Sequence, residues 1–232
     1  MRQLPLDVQL ADYALFDTFY AGQNAAVVHA LRECLAGNRE GGNKLIWLWG
    51  TPESGKSHLL QAMVAAADEA GLRPVWLPLK EPGFEPEMLD GMEAFDLVCI
   101  DDIDSVAGNR DWEIALFNLF ERLMQRNVRL VVTAETGANA AGFVLRDLNT
   151  RMNWGTTFRV QTLNDEESLA ALQKRAHHRG LNLPVDTANY LLTRVNRSPA
   201  TLFNLLDRLD KEALAAQRKL TVPFVRSVLE SS

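Results

Sequence analysis

The sequence from residue 45 to residue 57 reads Leu45-Ile46-Trp47-Leu48-Trp49-Gly50-Thr51-Pro52-Glu53-Ser54-Gly55-Lys56-Ser57. Its first five residues are apolar and predict a buried β-strand. Its last eight fit the pattern G-x-x-x-x-G-K-[ST], in which glycines let backbone N–H groups turn towards an anion. Apolar residues at helical spacing follow up to residue 70, and a helix beginning there would direct its positive dipole end at the same anion. We therefore predict a phosphate-binding loop over residues 50–57.

Individual side chains of this loop have separate predicted roles. Lys56 is expected to reach the β- and γ-phosphates of a nucleotide, and the Ser57 hydroxyl to hold Mg²⁺. His58 follows directly and is included in the predicted nucleotide contact. The alternative is a strand–helix turn that fits the pattern by chance; the strand and helix on either side favour the phosphate loop.

A second apolar run, residues 97–100, ends in Asp101 and Asp102. Carboxylates at the C-terminal end of a parallel strand lie at the sheet edge where nucleotides bind. We predict that Asp101 is the carboxylate on the Mg²⁺ side and that Asp102 orients an attacking water. The alternative is an ordinary strand that ends in solvated acids.

Two further residues are candidates. Thr133 ends the apolar run 128–133 and is predicted to sense the γ-phosphate, although a threonine that only favours a strand is nearly as good an interpretation. Arg151 lies beyond that strand, and by spacing alone a solvated helix arginine is the better interpretation.

Short apolar strands alternate with helical patterns up to about residue 162, and only helical patterns follow. Such alternation is typical of an α/β fold with a parallel sheet. We predict an extended N-terminal arm over residues 1–22, an α/β nucleotide-binding domain over 23–162 and a small all-helical domain over 163–232. Two prolines, Pro74 and Pro78, predict an edge or strand-terminal position in the second strand.

Composition limits the classes of function. The chain has 232 residues, 47% of them hydrophobic, and only two cysteines, which excludes a disordered tail and a disulfide scaffold. No apolar run approaches the ~18 residues that a membrane helix needs, so we expect a cytoplasmic protein without a membrane partner. The net charge is −6, which disfavours autonomous DNA binding.

The phosphate loop, acidic strand end, sensor strand, arginine and helical region follow the order of an AAA+ module. In addition, Phe16-Asp17-Thr18-Phe19-Tyr20-Ala21-Gly22-Gln23-Asn24 resembles the F-x-x-F-x-x-G-x-x-N segment of the DnaA replication-initiator family, with one residue fewer before Asn24. Residues 100–103 resemble that family's Walker B run, and residues 150–155 its arginine-finger box. This resemblance implies a P-loop AAA+ parallel-sheet domain followed by a small all-helical lid domain.

The resemblance also implies a nucleotide and its contacts. It indicates an adenine nucleotide, with ADP favoured over ATP, and Mg²⁺. Phe19 and Tyr20 would lie near the base. Ala200 stands where the family's second sensor arginine is expected, and Arg197 would substitute for it. Asp102 is shorter than the glutamate of many ATPases, so weak or no hydrolysis is expected in this chain's own site.

Two departures from DnaA narrow the predicted function. The sequence stops after the helical region, where DnaA continues into a DNA-binding domain, and residues 79–97 leave no room for the initiator-specific insertion. Gln3-Leu4-Pro5-Leu6-Asp7-Val8 is similar to the Q-L-x-L-x-L peptide by which proteins bind the sliding clamp, the β subunit of DNA polymerase III. This similarity makes Gln3, Leu4 and Leu6 predicted partner contacts.

Together these features imply a negative regulator of replication initiation. Tethered to the DNA-loaded clamp, it would insert Arg151 as an arginine finger into the ATP site of DnaA, with DNA contacted only indirectly and a homo-oligomer allowed. Two alternatives stay open. One is a DnaA-like initiator or helicase-loader-type ATPase that acts on DNA, and the other is an autonomous P-loop ATPase or kinase.

Overall fold

The computed structural model describes residues 14–37, 44–195 and 199–230. These residues divide into two compact units, which are described separately. The first contains residues 14–16 and 23–161, and the second contains residues 17–22 and 162–230.

A five-stranded parallel sheet forms the centre of the first unit. Its strands are β1 (Leu45–Trp49), β2 (Pro74–Pro78), β3 (Leu97–Asp101), β4 (Arg129–Ala134) and β5 (Thr156–Arg159). They lie in the order β2-β3-β4-β1-β5, and all neighbouring pairs are parallel. The predicted α/β class is confirmed, and β2 lies at a sheet edge, as its prolines indicated.

Four α-helices accompany the sheet in the described part of this unit. They are α1 (Ala25–Ala36), α2 (Lys56–Glu69), α3 (Arg110–Gln125) and α4 (Arg146–Met152). Asn109 caps α3 by accepting hydrogen bonds from the N–H groups of Asp111 and Trp112. Two short 3-10 helices, Pro86–Leu89 and Met92–Ala94, lie between β2 and β3.

Burial explains why the three central strands are predominantly apolar at consecutive positions. All six residues of β4, all five of β3 and the first four of β1 are buried. Strands of a parallel sheet are covered on both faces, so apolar residues are needed at consecutive rather than alternate positions. The sheet therefore gives a rigid base for the loops at its C-terminal edge.

The second unit is helical. It contains α5 (Asp165–His178), α6 (Val185–Arg194), α7 (Pro199–Ala216) and α8 (Val222–Glu230). Asn164 and Glu167 form a capping box at the start of α5. Apolar residues from all four helices form one core, including Leu172, Leu191, Leu206 and Val225. The predicted all-helical domain is confirmed. None of the described helices is long and apolar enough to cross a membrane.

The described part of the N-terminal arm is not extended. Residues 15–19 form turns, and Gly22–Asn24 is a 3-10 helix. Thr18 and Phe19 are buried, and the Lys174 ammonium of α5 donates to the Phe19 carbonyl oxygen at 2.8 Å. Residues 17–22 therefore pack as part of the helical unit, where the Phe19 backbone has a hydrogen-bond partner.

Close packing at Gly155, between α4 and β5, gives a stability prediction. A Cβ at this position would lie 2.7 Å from the Leu45 carbonyl oxygen and also against the Leu45 side chain. We expect Gly155→Ala to lower the free energy of unfolding by about 1–3 kcal/mol because the neighbouring strand must shift. Chemical denaturation measures this change.

Gly137→Ala is the matched control. Gly137 has a φ of −63°, and nothing lies within 4 Å of a Cβ built there. Its alanine variant should be as stable as the wild type or slightly more so. Equal stabilities of the two variants would contradict the packing argument.

Candidate functional site

The predicted phosphate loop lies between β1 and α2, at the C-terminal edge of the sheet. Gly55 has a φ of +95° and precedes the first residue of α2, a backbone conformation that glycine adopts without strain. A Cβ at Gly50 would lie 2.5 Å from the Val160 carbonyl oxygen, so only glycine fits there. The Gly50 N–H donates to the Ala134 carbonyl oxygen at 3.2 Å, which fixes the start of the loop against β4.

Lys56 is held inside this loop. Its side chain is 6% exposed, and its ammonium donates to the carbonyl oxygens of Gly50 at 2.8 Å and Thr51 at 3.0 Å. Burial lowers the pKa of Lys56, while the nearby carboxylates of Asp102 and Asp101 act in the opposite direction. The loop therefore encloses a buried lysine close to two acids, while its contact with phosphates stays a prediction.

The acidic strand end is tied together by Thr133. The Thr133 hydroxyl donates to Asp101 Oδ1 and accepts from the Asp102 N–H at 2.8 Å. A hydroxyl has one proton to give, and here that proton goes to a carboxylate. Thr133 would have to release Asp101 before it could donate to a phosphate, so its sensor role stays a prediction.

Asp102 has an unusual backbone conformation. Its φ is +53°, in the left-handed region that non-glycine residues seldom adopt. Burial, together with the neighbouring Asp101, raises the pKa of its carboxyl group. A raised pKa makes a carboxylate a stronger proton acceptor. The structure thus places Asp102, with its left-handed backbone and a carboxyl group of raised pKa, beside Asp101, while its contact with an attacking water stays a prediction.

The residues present fit a nucleotide with Mg²⁺. Ser54 Oγ is buried and has no hydrogen-bond partner among the described residues, so a phosphate oxygen could satisfy it. The described residues contain no group of three or more His, Cys, Asp or Glu side chains placed to hold a metal. Mg²⁺ at phosphate sites is commonly held by one or two side chains and the phosphates themselves. Ser57 and Asp101 are the predicted holders.

Arg151 lies on α4 and is held by two neighbours. Its Nε is 2.8 Å from Glu121 Oε1 on α3, and its guanidinium lies 4.1 Å from the centre of the Trp154 ring. The Arg151 side chain is 30% exposed, and Trp154 is 59% exposed. The guanidinium is therefore oriented by an acid and an aromatic ring at the protein surface. Neither of these contacts is with the phosphate loop.

Other predicted site residues have different placements. The His58 ring shares a 3.0 Å hydrogen bond with the Leu15 carbonyl oxygen. Phe19 and Tyr20 lie in the helical unit, and their contact with a base stays a prediction. Four predicted residues lie outside the described residues: Gln3, Leu4, Leu6 and Arg197.

Sequence reasoning missed Glu113, a buried acid on α3. Its side chain is 1% exposed, and its carboxylate accepts hydrogen bonds from the N–H groups of Gly108, Val144 and Leu145. Burial alone would raise the pKa of Glu113, but these three donors lower it. The available signal was positional: Glu113 shares the apolar face of α3 with Leu116 and Phe120.

The lowered pKa of Glu113 gives a pH prediction. We expect Glu113→Gln to cost about 1–3 kcal/mol of stability near neutral pH, because the amide leaves a buried N–H without an acceptor. The unfolded-state pKa is about 4.3 and the folded-state value is lower. The extra stability of the wild type over Glu113→Gln is therefore complete above the unfolded-state pKa. It is lost as the pH falls through the folded-state pKa. Denaturation of both proteins from about pH 7 to about pH 3 tests this; a constant difference would contradict it.

The comparisons agree with this arrangement. Residues 165–229 match the family model described as "Hda, lid domain". Domain III of the Thermotoga maritima replication initiation protein DnaA is 18% identical, with a TM-score of 0.77 and coverage of 96% of this chain and 98% of that one.

Two further solved structures share the fold. Replication initiator DnaA bound to AMPPCP and single-stranded DNA is 17% identical, with a TM-score of 0.72 and coverage of 90% of this chain and 69% of that one. The Thermotoga maritima RuvB Holliday junction branch migration motor is also 17% identical, with a TM-score of 0.63 and coverage of 89% and 68%.

The parallel sheet, its phosphate loop and the helical region together have the fold of a P-loop AAA+ module. At these sequence identities the solved structures show the fold alone. The match of residues 165–229 to the Hda lid model is the more specific similarity. Residues 165–229 are thus similar to the lid domain of Hda, and the chain shares the fold of the DnaA structures.

Proposed function

We propose that this protein is a negative regulator of chromosomal replication initiation that stimulates hydrolysis of DnaA-bound ATP through Arg151. The observation that carries the proposal is the placement of Arg151. Its guanidinium is partly exposed and is oriented by Glu121 and Trp154, so it is available to a second protein. The match of residues 165–229 to the Hda lid supports DnaA as that second protein.

The catalytic event would take place in the partner's ATP site. Charge develops on the transferred phosphoryl group, and a guanidinium supplied in trans stabilises that charge. A finger of this kind contributes about 10³–10⁵-fold in rate among GTPases. Because Glu121 and Trp154 already fix the direction of Arg151, little ordering is left for the moment of contact.

The chain's own nucleotide would have a structural role. In the proposal Lys56, with Gly50–Ser57 and His58, holds an adenine nucleotide, ADP being favoured, while Ser57 and Asp101 hold Mg²⁺. When bound, Mg²⁺ would neutralise phosphate charge. Support comes from the buried, unsatisfied Ser54 Oγ and from the DnaA relatives that were solved with AMPPCP.

The N-terminal peptide would bind the chain to the sliding clamp. Gln3, Leu4 and Leu6 would bind the DNA-loaded sliding clamp, which raises the effective concentration of the chain near DnaA. This part of the proposal rests on the similarity of Gln3–Val8 to clamp-binding peptides.

The experiment is phosphate release from ATP-loaded DnaA, with this protein, sliding clamp and DNA added in all combinations. We expect acceleration only when all components are present, and loss of that acceleration when residues 1–8 are removed. Folded proteins without acceleration would refute the proposal. Salt-dependent DNA binding by the chain alone would favour an initiator-like or helicase-loader-like function instead.

A further inference from the structure

We propose that Glu113 is a positioning residue for Arg151, because its carboxylate fixes the start of the helix that carries the arginine. The inference rests on the proposed function, in which Arg151 is the finger. It adds a residue whose buried side chain contacts neither the arginine nor the phosphate loop.

The first step of the argument is the contact between Glu113 and the start of α4. Glu113 accepts hydrogen bonds at 3.0 Å from the N–H of Val144 and a further one from the N–H of Leu145. Leu145 is the residue immediately before α4, and its side chain makes no capping hydrogen bond. An acid on a different helix therefore anchors the two residues that lead into α4.

The second step is the ion pair at the other end of α4. Glu121 lies about two helical turns beyond Glu113 on α3 and pairs with Arg151. Two glutamates of one helix thus hold both ends of the short helix α4. A segment of about two turns that is fixed at both ends has little freedom to tilt, so the position of the guanidinium depends on both contacts.

The third step is the connection to the acidic strand end. Glu113 also accepts from the Gly108 N–H at 2.7 Å, and Gly108 closely follows the 3-10 helix Ile103–Val106. That short helix begins directly after Asp102, the residue of the nucleotide site with a left-handed backbone. One carboxylate therefore fixes both the segment leaving the nucleotide site and the segment leading to Arg151.

The chemistry of the group fits this role. Three N–H donors converge on Glu113, and an ionised carboxylate is a side chain that only accepts. Glutamine has the same shape, but its NH₂ group would face one of those donors. Phe143, which precedes Val144 and Leu145, packs edge-on against Trp47. This apolar contact holds the segment before α4 independently of Glu113, so the segment can stay folded when the carboxylate is replaced.

The test uses the full chain and two readouts. The first is the Nε–H resonance of Arg151 in ¹H–¹⁵N spectra, assigned by its loss in Arg151→Lys. In Glu113→Gln we expect this signal to shift towards that of a solvated arginine or to broaden. The second is the rate of phosphate release from ATP-loaded DnaA at saturating chain, which should fall about 10–100-fold with a similar half-saturating concentration.

Val75→Ala is the control for lost stability alone. Val75 is buried on the edge strand β2, and its alanine variant should be destabilised while it keeps the wild-type Arg151 signal and maximal rate. Leu145→Pro is a second test variant, because Leu145 has a φ of −71°, which proline can adopt. Proline removes the N–H that Glu113 accepts, together with the packing of the Leu145 side chain against the core. This variant should shift the Arg151 signal in the same direction.

A wild-type Arg151 signal in folded Glu113→Gln would overturn the inference. So would an equal loss of maximal rate in Val75→Ala. If the wild-type chain does not stimulate DnaA, the proposed function fails, and the resonance of Arg151 still decides whether Glu113 positions it.

Discussion

Replacing Arg151 with alanine is expected to abolish the stimulation of DnaA-bound ATP hydrolysis. The loss should reach about 10³-fold or more, equivalent to about 4 kcal/mol of transition-state stabilisation. The fold should be nearly unaffected, because the ion pair with Glu121 is partly exposed and such pairs contribute about 1 kcal/mol or less. Single-turnover phosphate release from ATP-loaded DnaA, with clamp and DNA present, measures the effect.

Arg151→Lys is the informative control. It keeps the positive charge but loses the planar fork of donors and the stacking on Trp154, so most of the stimulation should still be lost. Binding to the sliding clamp should be the same for both variants and the wild type. Full stimulation by Arg151→Ala would refute the finger role while leaving the nucleotide-site prediction intact.

Replacing Lys56 with alanine is expected to weaken adenine nucleotide binding by about 10²–10³-fold. The ammonium is buried in the loop, and removing one partner of a buried charged contact costs about 2–5 kcal/mol. Calorimetry with ADP and Mg²⁺ measures the affinity directly. The circular dichroism spectrum should be unchanged, since Lys56 is the first residue of α2 and its ammonium donates to carbonyl oxygens within the loop.

Lys211→Ala is the matched control for Lys56→Ala. Lys211 is an exposed lysine of α7, in the helical unit, and no nucleotide contact is predicted for it. Its replacement changes the net charge by the same amount and should leave ADP affinity unchanged. Equal affinities of the two variants would show that Lys56 does not contact the phosphates.

Local patterns were sufficient for most of the fold. The runs at residues 45–49 and 97–100 became central strands, because a parallel sheet buried on both faces needs consecutive apolar residues. The phosphate loop was also predictable from local sequence. Its glycines, lysine and serine lie within eight residues, so one short pattern contains all of its characteristic residues.

The contacts that orient Arg151 could not be predicted in the same way. Glu121 and Glu113 belong to a helix separate from α4, and their pairing depends on how α3 and α4 pack. The sequence alone indicates that Glu113 interrupts an apolar helix face. It does not indicate which N–H groups donate to the Glu113 carboxylate. The turn at residues 15–19 was missed likewise, because the Phe19 carbonyl oxygen finds its donor, Lys174, on α5, far away in sequence.

The grouping of residues 17–22 with the helical unit has a consequence for engineering this protein. A chimera that exchanges only residues 162–230 would leave six residues, including buried Thr18 and Phe19, facing a foreign helix in place of α5. The helical unit is thus a discontinuous module assembled from two separate stretches of the chain. Transplanting it intact requires grafting both.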